Sequence, residues 1–181
     1  TKTYLKKDNL FKIIIIGGSQ GAKIFDELLN KSFVKISKQV SIKVIHQTGE
    51  KNINFLKNFY SQNNIESRVF SFDHNLNEVL KQGDLCITRA GASSLAELSF
   101  LNIPFIAIPF PSSKDNHQYE NAKYYEQQDC CWIIDQKNFD DQKFEKFLLK
   151  LTNKSQDYMT KKKNLQKLNF QNTWKSVDRK I

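Results

Sequence analysis

The sequence is poor in the residues that mark special architectures. Its 181 residues include three cysteines, three prolines, six glycines, one methionine and only three arginines. Cys86, Cys130 and Cys131 are odd in number and two are adjacent, which excludes a disulfide framework, and no Cys/His spacing suits zinc. A reducing, cytosolic compartment is the expectation. With so little Pro and Gly there is no linker-like stretch, repeat or internal boundary, and the length suits one domain. The longest apolar stretches, Ile13–Ile16 and Ile103–Phe110, are strand-sized and far short of the roughly 20 residues that span a bilayer. No apolar segment follows the charged start at Thr1–Lys7, so no signal peptide is read there. The chain does not open on Met, and the expectation is a piece of a longer protein.

Negative charge is also scarce, with 19 Asp plus Glu against 28 Lys plus Arg and a formal charge of +9. The excess is lysine, since the arginines are only Arg68, Arg89 and Arg179. Base reading and stacking lean on Arg, so a specific nucleic-acid reader is disfavoured. Lys-rich charge suits a solvated surface, or attraction to anionic membranes and phosphates. What the chain does have is 14 Phe and 6 Tyr. A chain of this length buries roughly 70% of its unfolded surface, so a core is expected without staples.

Apolar runs predict strands at 11–16, 42–46, 68–70, 85–88, 104–108 and 132–134. Helical spacing predicts helices at about 22–35, 52–62, 76–82, 94–101 and 116–128, then Lys-rich helices at about 140–152 and 156–169. Six strands separated by helices predict an α/β fold, a Rossmann-like doubly wound parallel sheet with right-handed crossovers and helices on both faces. One sequence does not reveal the strand order.

Ligands of open parallel sheets bind beyond the carboxyl ends of strands, and three polar loops fall there. Gly17-Gly18-Ser19-Gln20-Gly21-Ala22 follows the first strand. Its glycines let backbone approach a phosphate, and N–H groups at a helix start attract an anion. A ligand-free tight turn is the competing reading. The loop lacks GxGxxG and no acid ends strand two at Ile45-His46-Gln47, which disfavours a nicotinamide-dependent dehydrogenase; the spacing is wrong for a P-loop as well. Arg89-Ala90-Gly91-Ala92-Ser93-Ser94-Leu95-Ala96-Glu97 follows the fourth strand. Glu97 there suits the two hydroxyls of a ribose, while Ser94-x-x-Glu97 also fits a capping box. After the fifth strand come Lys114, suited to a phosphate, and Gln118, suited to a sugar hydroxyl, with Asp115-x-x-Gln118 again matching a capping box. Convergence of the three loops favours a nucleotide site.

Other chemistry is thinly represented. His46, His74 and His117 fall in three separate connections and read as solvated rather than metal-binding. No Ser-His-Asp order or G-x-S-x-G elbow is present. The Lys-rich run from Lys143 to Lys167 reads as a solvated helical face, with Phe144, Phe147 and Leu148 leaving docking to an anionic bilayer open.

The glycine loop, His46-Gln47-Thr48-Gly49, Arg89–Glu97 and Asp115-Asn116-His117-Gln118-Tyr119-Glu120-Asn121-Ala122 occur in one order. Together they resemble the C-terminal half of the MurG family of bacterial peptidoglycan N-acetylglucosaminyltransferases, from about Phe11 to Ile134. The resemblance implies the C-terminal domain of a GT-B fold, an inverting transferase with UDP-N-acetylglucosamine as donor and neither metal nor other cofactor. Position by position it puts Gly18, Ser19 and Gln20 beside the donor diphosphate, with Ala92, Ser93, Ser94 and Leu95 as the helix-start loop around it. It puts Glu97 on the ribose, and His117 and Gln118 on the GlcNAc hydroxyls. Asp73 falls where an apolar residue of the family meets the uracil through its backbone. No residue of this half is implied as catalytic base. The acceptor, MurNAc-pentapeptide on undecaprenyl diphosphate, belongs to an N-terminal acceptor domain that these 181 residues lack. The implied setting is peripheral, on the cytoplasmic side of the bacterial inner membrane against anionic lipid. Alternatives are a stand-alone half working with a separate partner chain, as in the eukaryotic dolichol-linked GlcNAc transferase, and a basic membrane- or nucleic-acid-binding module.

Overall fold

Ile13, Ile14, Ile15 and Ile16 are at most 2% exposed in the computed structural model, which describes residues 10–17 and 23–171. A strand buried on both faces needs apolar residues at every position rather than at alternate ones, and this run supplies them. It forms β1 (Phe11–Ile16), paired in parallel with β2 (Ile42–Gln47) on one side and β4 (Leu85–Thr88) on the other. With β3 (Glu66–Phe70), β5 (Phe105–Ala107) and β6 (Cys131–Ile133), the sheet order is β3-β2-β1-β4-β5-β6, all parallel. The predicted doubly wound sheet is therefore present, and its order reverses between β1 and β4.

The pleat of β1 divides two cores. Ile13 and Ile15 pack with α1 (Phe25–Leu28), α2 (Asn30–Ser37), α3 (Ile53–Gln62) and α7 (Asp141–Thr152) through Phe25, Phe33, Leu56, Tyr60 and Leu148. Ile14 and Ile16 pack on the opposite face with α4 (Leu76–Leu80), α5 (Ala92–Phe100) and α6 (His117–Gln127) through Leu80, Leu95, Leu98 and Ala122. The last helix, α8 (Gln156–Gln171), sends Tyr158 into the first core and Leu165 and Leu168 into the second. Gly83 lies against Ile14 so closely that a Cβ there would stand 2.5 Å from Ile14 Cδ1. Glycine is the residue that lets the α4–β4 turn press on the central strand.

Two expectations change. The predicted helix at about 22–35 is broken, with α1 ending before Leu29 and α2 starting at Asn30. Asn30 Nδ2 donates to the Asp26 carbonyl at 2.5 Å, taking the acceptor that a continuous ladder would offer its own backbone N–H. The bilayer-docking face also fails. Phe144 and Leu148 are buried in the first core and Phe147 packs edge-on against Trp132. These apolar residues face the sheet, and the exposed residues of α7 are Gln142, Lys143, Lys146 and Lys150. No helix among the described residues is long and apolar enough to cross a membrane.

Candidate functional site

The crevice at the order reversal lies beyond the carboxyl ends of β1 and β4. β4 runs into Arg89-Ala90-Gly91, and α5 starts at Ala92. Gly91 is the N-cap residue, extended at φ −68° and ψ 135°, and no side chain caps the helix. The first turn of a helix has N–H groups without intrahelical acceptors. Here those of Ala92, Ser93 and Ser94 precede the bond from Leu95 N–H to the Gly91 carbonyl. The capping-box reading of Ser94 and Glu97 is overturned, because the helix starts two residues earlier and Ser94 is already inside it. Glu97 is half-buried one turn along and has no side-chain hydrogen bond or ion pair among the described residues.

The third loop is held against the second by α6. Gln118 Oε1 accepts from the N–H groups of Ala90 (3.3 Å) and Phe110 (2.9 Å). One turn on, Asn121 Nδ2 donates to the Ala90 carbonyl at 3.0 Å. Gln118 therefore caps nothing in its own helix, and the Asp115-x-x-Gln118 capping box does not form. With its oxygen pinned by two backbone donors, Gln118 has its NH₂ to offer outward. The turn before α6 places both Asp115 (φ 49°) and Asn116 (φ 55°) in the left-handed region. Such residues cost of order 1 kcal/mol each and persist where surrounding bonds impose them.

Beneath the loops lies Arg89, 9% exposed. Its Nη1 donates to the carbonyls of Ile108 (3.0 Å) and Pro109 (3.2 Å), and its guanidinium lies 4.9 Å from the Phe25 ring centroid and 5.4 Å from that of Phe110. Burial pulls its pKa down. These contacts tie β4, β5 and α1 together at the crevice floor.

The remaining predicted residues are placed as follows. Gly18, Ser19 and Gln20 lie outside the described residues. Ala92 and Ser93 are exposed at the α5 start and Ser94 is half-buried. Leu95 is fully buried in the second core with its N–H on Gly91, so it anchors the helix and has no side-chain surface for a ligand. Asp73 follows β3, and its carboxylate accepts from Arg68 and from the Asn75 N–H. That side chain is turned away into local bonds, leaving backbone as the contact it can make. His117 is exposed at the start of α6, its Nδ1 2.6 Å from the Lys114 carbonyl.

Sequence reasoning missed three participants. Arg89 and Asn121 stand inside quoted motifs but were given no role; the scarcity of arginine, and the three-residue step from Gln118 on one helix face, were the available signals. His46 ends a predicted strand, but its side chain was read as solvated. It is fully buried within β2, with Nδ1 2.8 Å from the Tyr60 hydroxyl. Its Nε2 stands 3.2 Å from Asp26 Oδ1, off the line of a hydrogen bond, so neither atom has a hydrogen-bond partner among the described residues. Burial works to raise the Asp26 carboxyl, but His46 and hydrogen bonds from Thr48 and Asn52 outweigh it and hold the group below the ordinary carboxylate range. The thiols offer no nucleophile, since burial pushes Cys130 up to about 11 and Cys131 to about 12. Among the described residues no group of three or more His, Cys, Asp and Glu is arranged to hold a metal.

Comparison with known proteins gives a consistent picture. The model of the glycosyltransferase family 28 C-terminal domain matches residues 12–177. A UDP-N-acetylglucosamine–N-acetylmuramyl-(pentapeptide) pyrophosphoryl-undecaprenol N-acetylglucosamine transferase of Pelagibacter ubique is 39% identical over 180 residues, covering 99% of this chain and 51% of the relative. A transferase of the same name from Campylobacter jejuni subsp. doylei is 40% identical over 163 residues, 90% of this chain and 47% of the relative. The chain thus spans about half the length of the curated relatives it matches. The crystal structure of Acinetobacter baumannii MurG aligns with a TM-score of 0.77 at 25% identity, over 90% of this chain and 49% of that one. In its sheet, which matches the GT-B C-terminal domain, and in its sequence, the chain belongs to the family of glycosyltransferase family 28 C-terminal domains.

Proposed function

We propose that this chain is the donor-binding half of an inverting N-acetylglucosaminyltransferase that uses UDP-N-acetylglucosamine in peptidoglycan synthesis. The observation that carries the reading is the start of α5, which no side chain caps, with Glu97 and Gln118 beside it at the order reversal of the sheet. Half-length matches to transferases named for this donor support it.

In this reading the N–H groups of Ala92, Ser93 and Ser94, with Gly18, Ser19 and Gln20, meet the diphosphate. Glu97 accepts from the two ribose hydroxyls. Gln118 donates its NH₂ to a GlcNAc hydroxyl, with His117 next to it, and the backbone at Asp73 meets the uracil. When the acceptor hydroxyl attacks the sugar C1, charge builds on the departing diphosphate. Fixed helix-start donors stabilise that charge without having to reorganise, which is the service a metal ion gives elsewhere. The base that takes the acceptor proton, and the site for the undecaprenyl-linked acceptor, come from an N-terminal domain. Such an enzyme works peripherally on the cytoplasmic face of the inner membrane, where Lys-rich charge favours anionic lipid.

Calorimetric titration tests the reading directly. The wild-type chain binds UDP-N-acetylglucosamine saturably. Glu97→Ala weakens binding by about 10- to 100-fold, the worth of roughly 1.5–3 kcal/mol for hydrogen bonds to a charged group. Thermal stability stays unchanged, because Glu97 caps nothing. A folded wild-type sample that ignores UDP sinks the proposal.

A further inference from the structure

Asp26 and His46 are buried, polar and unused by the reading above, and His46 lies in β2, on the β1–β3 side of the order reversal. Asp26 Oδ2 accepts from Thr48 Oγ1 (2.7 Å) and Asn52 Nδ2 (2.6 Å), while Oδ1 faces His46 Nε2, and His46 Nδ1 meets the Tyr60 hydroxyl. All these partners come from β2, the turn after it, or α3, on the β1–β3 side. The preceding residue, Phe25, is 1% exposed and lies under Arg89, which bonds the carbonyls of Ile108 and Pro109 on the β4–β6 side. One dipeptide, Phe25-Asp26, therefore grips both sides of the crevice from a helix of four residues.

Apolar packing alone would fill this space without the desolvation that a buried carboxylate and imidazole incur. Hydrogen bonds add direction, which apolar contacts lack. A carboxylate held by Thr48 and Asn52 sets the rotation of α1 about its own axis. Four residues of helix, broken after Leu28 by Asn30, cannot do that by themselves.

We propose that Asp26, supported by His46, is a positioning residue that clamps α1 across the crevice. Through Phe25 and Arg89 it sets the Ala90-Gly91 backbone from which α5 starts. Its consequence for ligand binding rests on the donor reading above; the clamp itself does not.

Amide hydrogen exchange on the whole chain without ligand tests the clamp. Asp26→Ala speeds exchange at least tenfold at both 23–29 and 89–91, while the amides of β1 and β4 keep wild-type protection. Asp26→Asn, which keeps an acceptor for Thr48 and Asn52, returns both segments to within threefold. Faster exchange at 23–29 alone, or a uniform rise everywhere, overturns the proposal. Should Asp26→Ala not fold, Thr48→Val and Asn52→Ala each remove one donor and must show the same paired pattern at smaller size; its absence overturns the clamp. With nucleotides, Asp26→Ala loses at least tenfold in UDP affinity and less than threefold in UMP affinity. Equal losses, or an unchanged UDP affinity despite altered exchange, overturn the positioning role. A wild-type chain that binds neither nucleotide removes the donor reading, and the exchange pattern alone then upholds or overturns the clamp.

Discussion

α7 and α5 each follow a strand, β6 and β4, and satisfy their first turns in opposite ways. α7 follows Asp140, whose Oδ1 accepts from the N–H groups of Gln142 (2.9 Å) and Lys143 (3.0 Å). The Lys143 bond, joined by that of Gln142, holds the Asp140 carboxyl below the ordinary range. α5 follows Gly91, which has no side chain to offer, and Ser94 and Glu97 do not take its place. α6 resembles α5, since Asn116 makes no side-chain cap and Gln118 bonds the N–H groups of Ala90, after β4, and Phe110, after β5. A missing N-cap costs about 0.5–2 kcal/mol. α7 avoids that cost through Asp140, whereas α1 to α4 start without a side-chain cap just as α5 and α6 do. An open first turn is therefore no mark of a site by itself; α5 stands apart because its uncapped turn, with Ala92 and Ser93 exposed, lies at the order reversal of the sheet, where an anion is suited to it.

The comparison breaks most sharply if α5 is given the cap that α7 has. Gly91→Asp places an acceptor at the N-cap, where the backbone suits any residue and a Cβ meets nothing nearer than Ser94 Oγ at 3.8 Å. The carboxylate then occupies and repels the anion position. Affinity for UDP-N-acetylglucosamine should fall about tenfold or more, while the melting temperature holds or rises. Retained affinity in calorimetry would mean the free turn is not the anion site.

Gln118→Glu sharpens the same contrast at α6. It keeps an oxygen for the Ala90 and Phe110 N–H groups but removes the outward NH₂ donor. UDP-N-acetylglucosamine should bind about fivefold more weakly, the worth of one ordinary hydrogen bond near 1 kcal/mol, while UDP alone is unaffected. Equal losses for both ligands would show that Gln118 acts only through the loops.

Asp140→Ala is the smallest expected change and touches stability alone. The folded-state pKa of Asp140 is depressed, so its contribution is present above its unfolded value and disappears as pH falls through the folded one. Melting curves of wild type and variant should differ at neutral pH and converge in acid, with nucleotide binding the same throughout. A binding defect in this variant would erase the distinction between the two kinds of helix start.

The strands were legible because their signal is local. The run Phe11–Ile16 is apolar at every position and lies at the centre of the sheet. The motif loops were legible as well, since small and polar residues directly after buried strands can only stand at the carboxyl edge. Ser94-x-x-Glu97 was ambiguous because the same spacing fits a capping box and a ligand site. Only the start of α5 at Ala92 separates them. The burial of His46 was not legible because its partners, Asp26 and Tyr60, come from elements 20 and 14 residues away in sequence, on opposite sides of it. Phe144 and Leu148 looked free to meet a bilayer because periodicity reveals a helix's apolar face but not what covers it.

By itself the sequence determined the layers of this protein, its crevice-edge motifs and its family, all of which rest on residue types a few positions apart. Only the tertiary structure decided which polar groups are satisfied and which remain free. Gln118 reaches Ala90 across 28 positions, and Arg89 reaches Ile108 across 19. Whether a donor at the crevice is already taken depends on partners that only the folded sheet brings within 3 Å or so of one another.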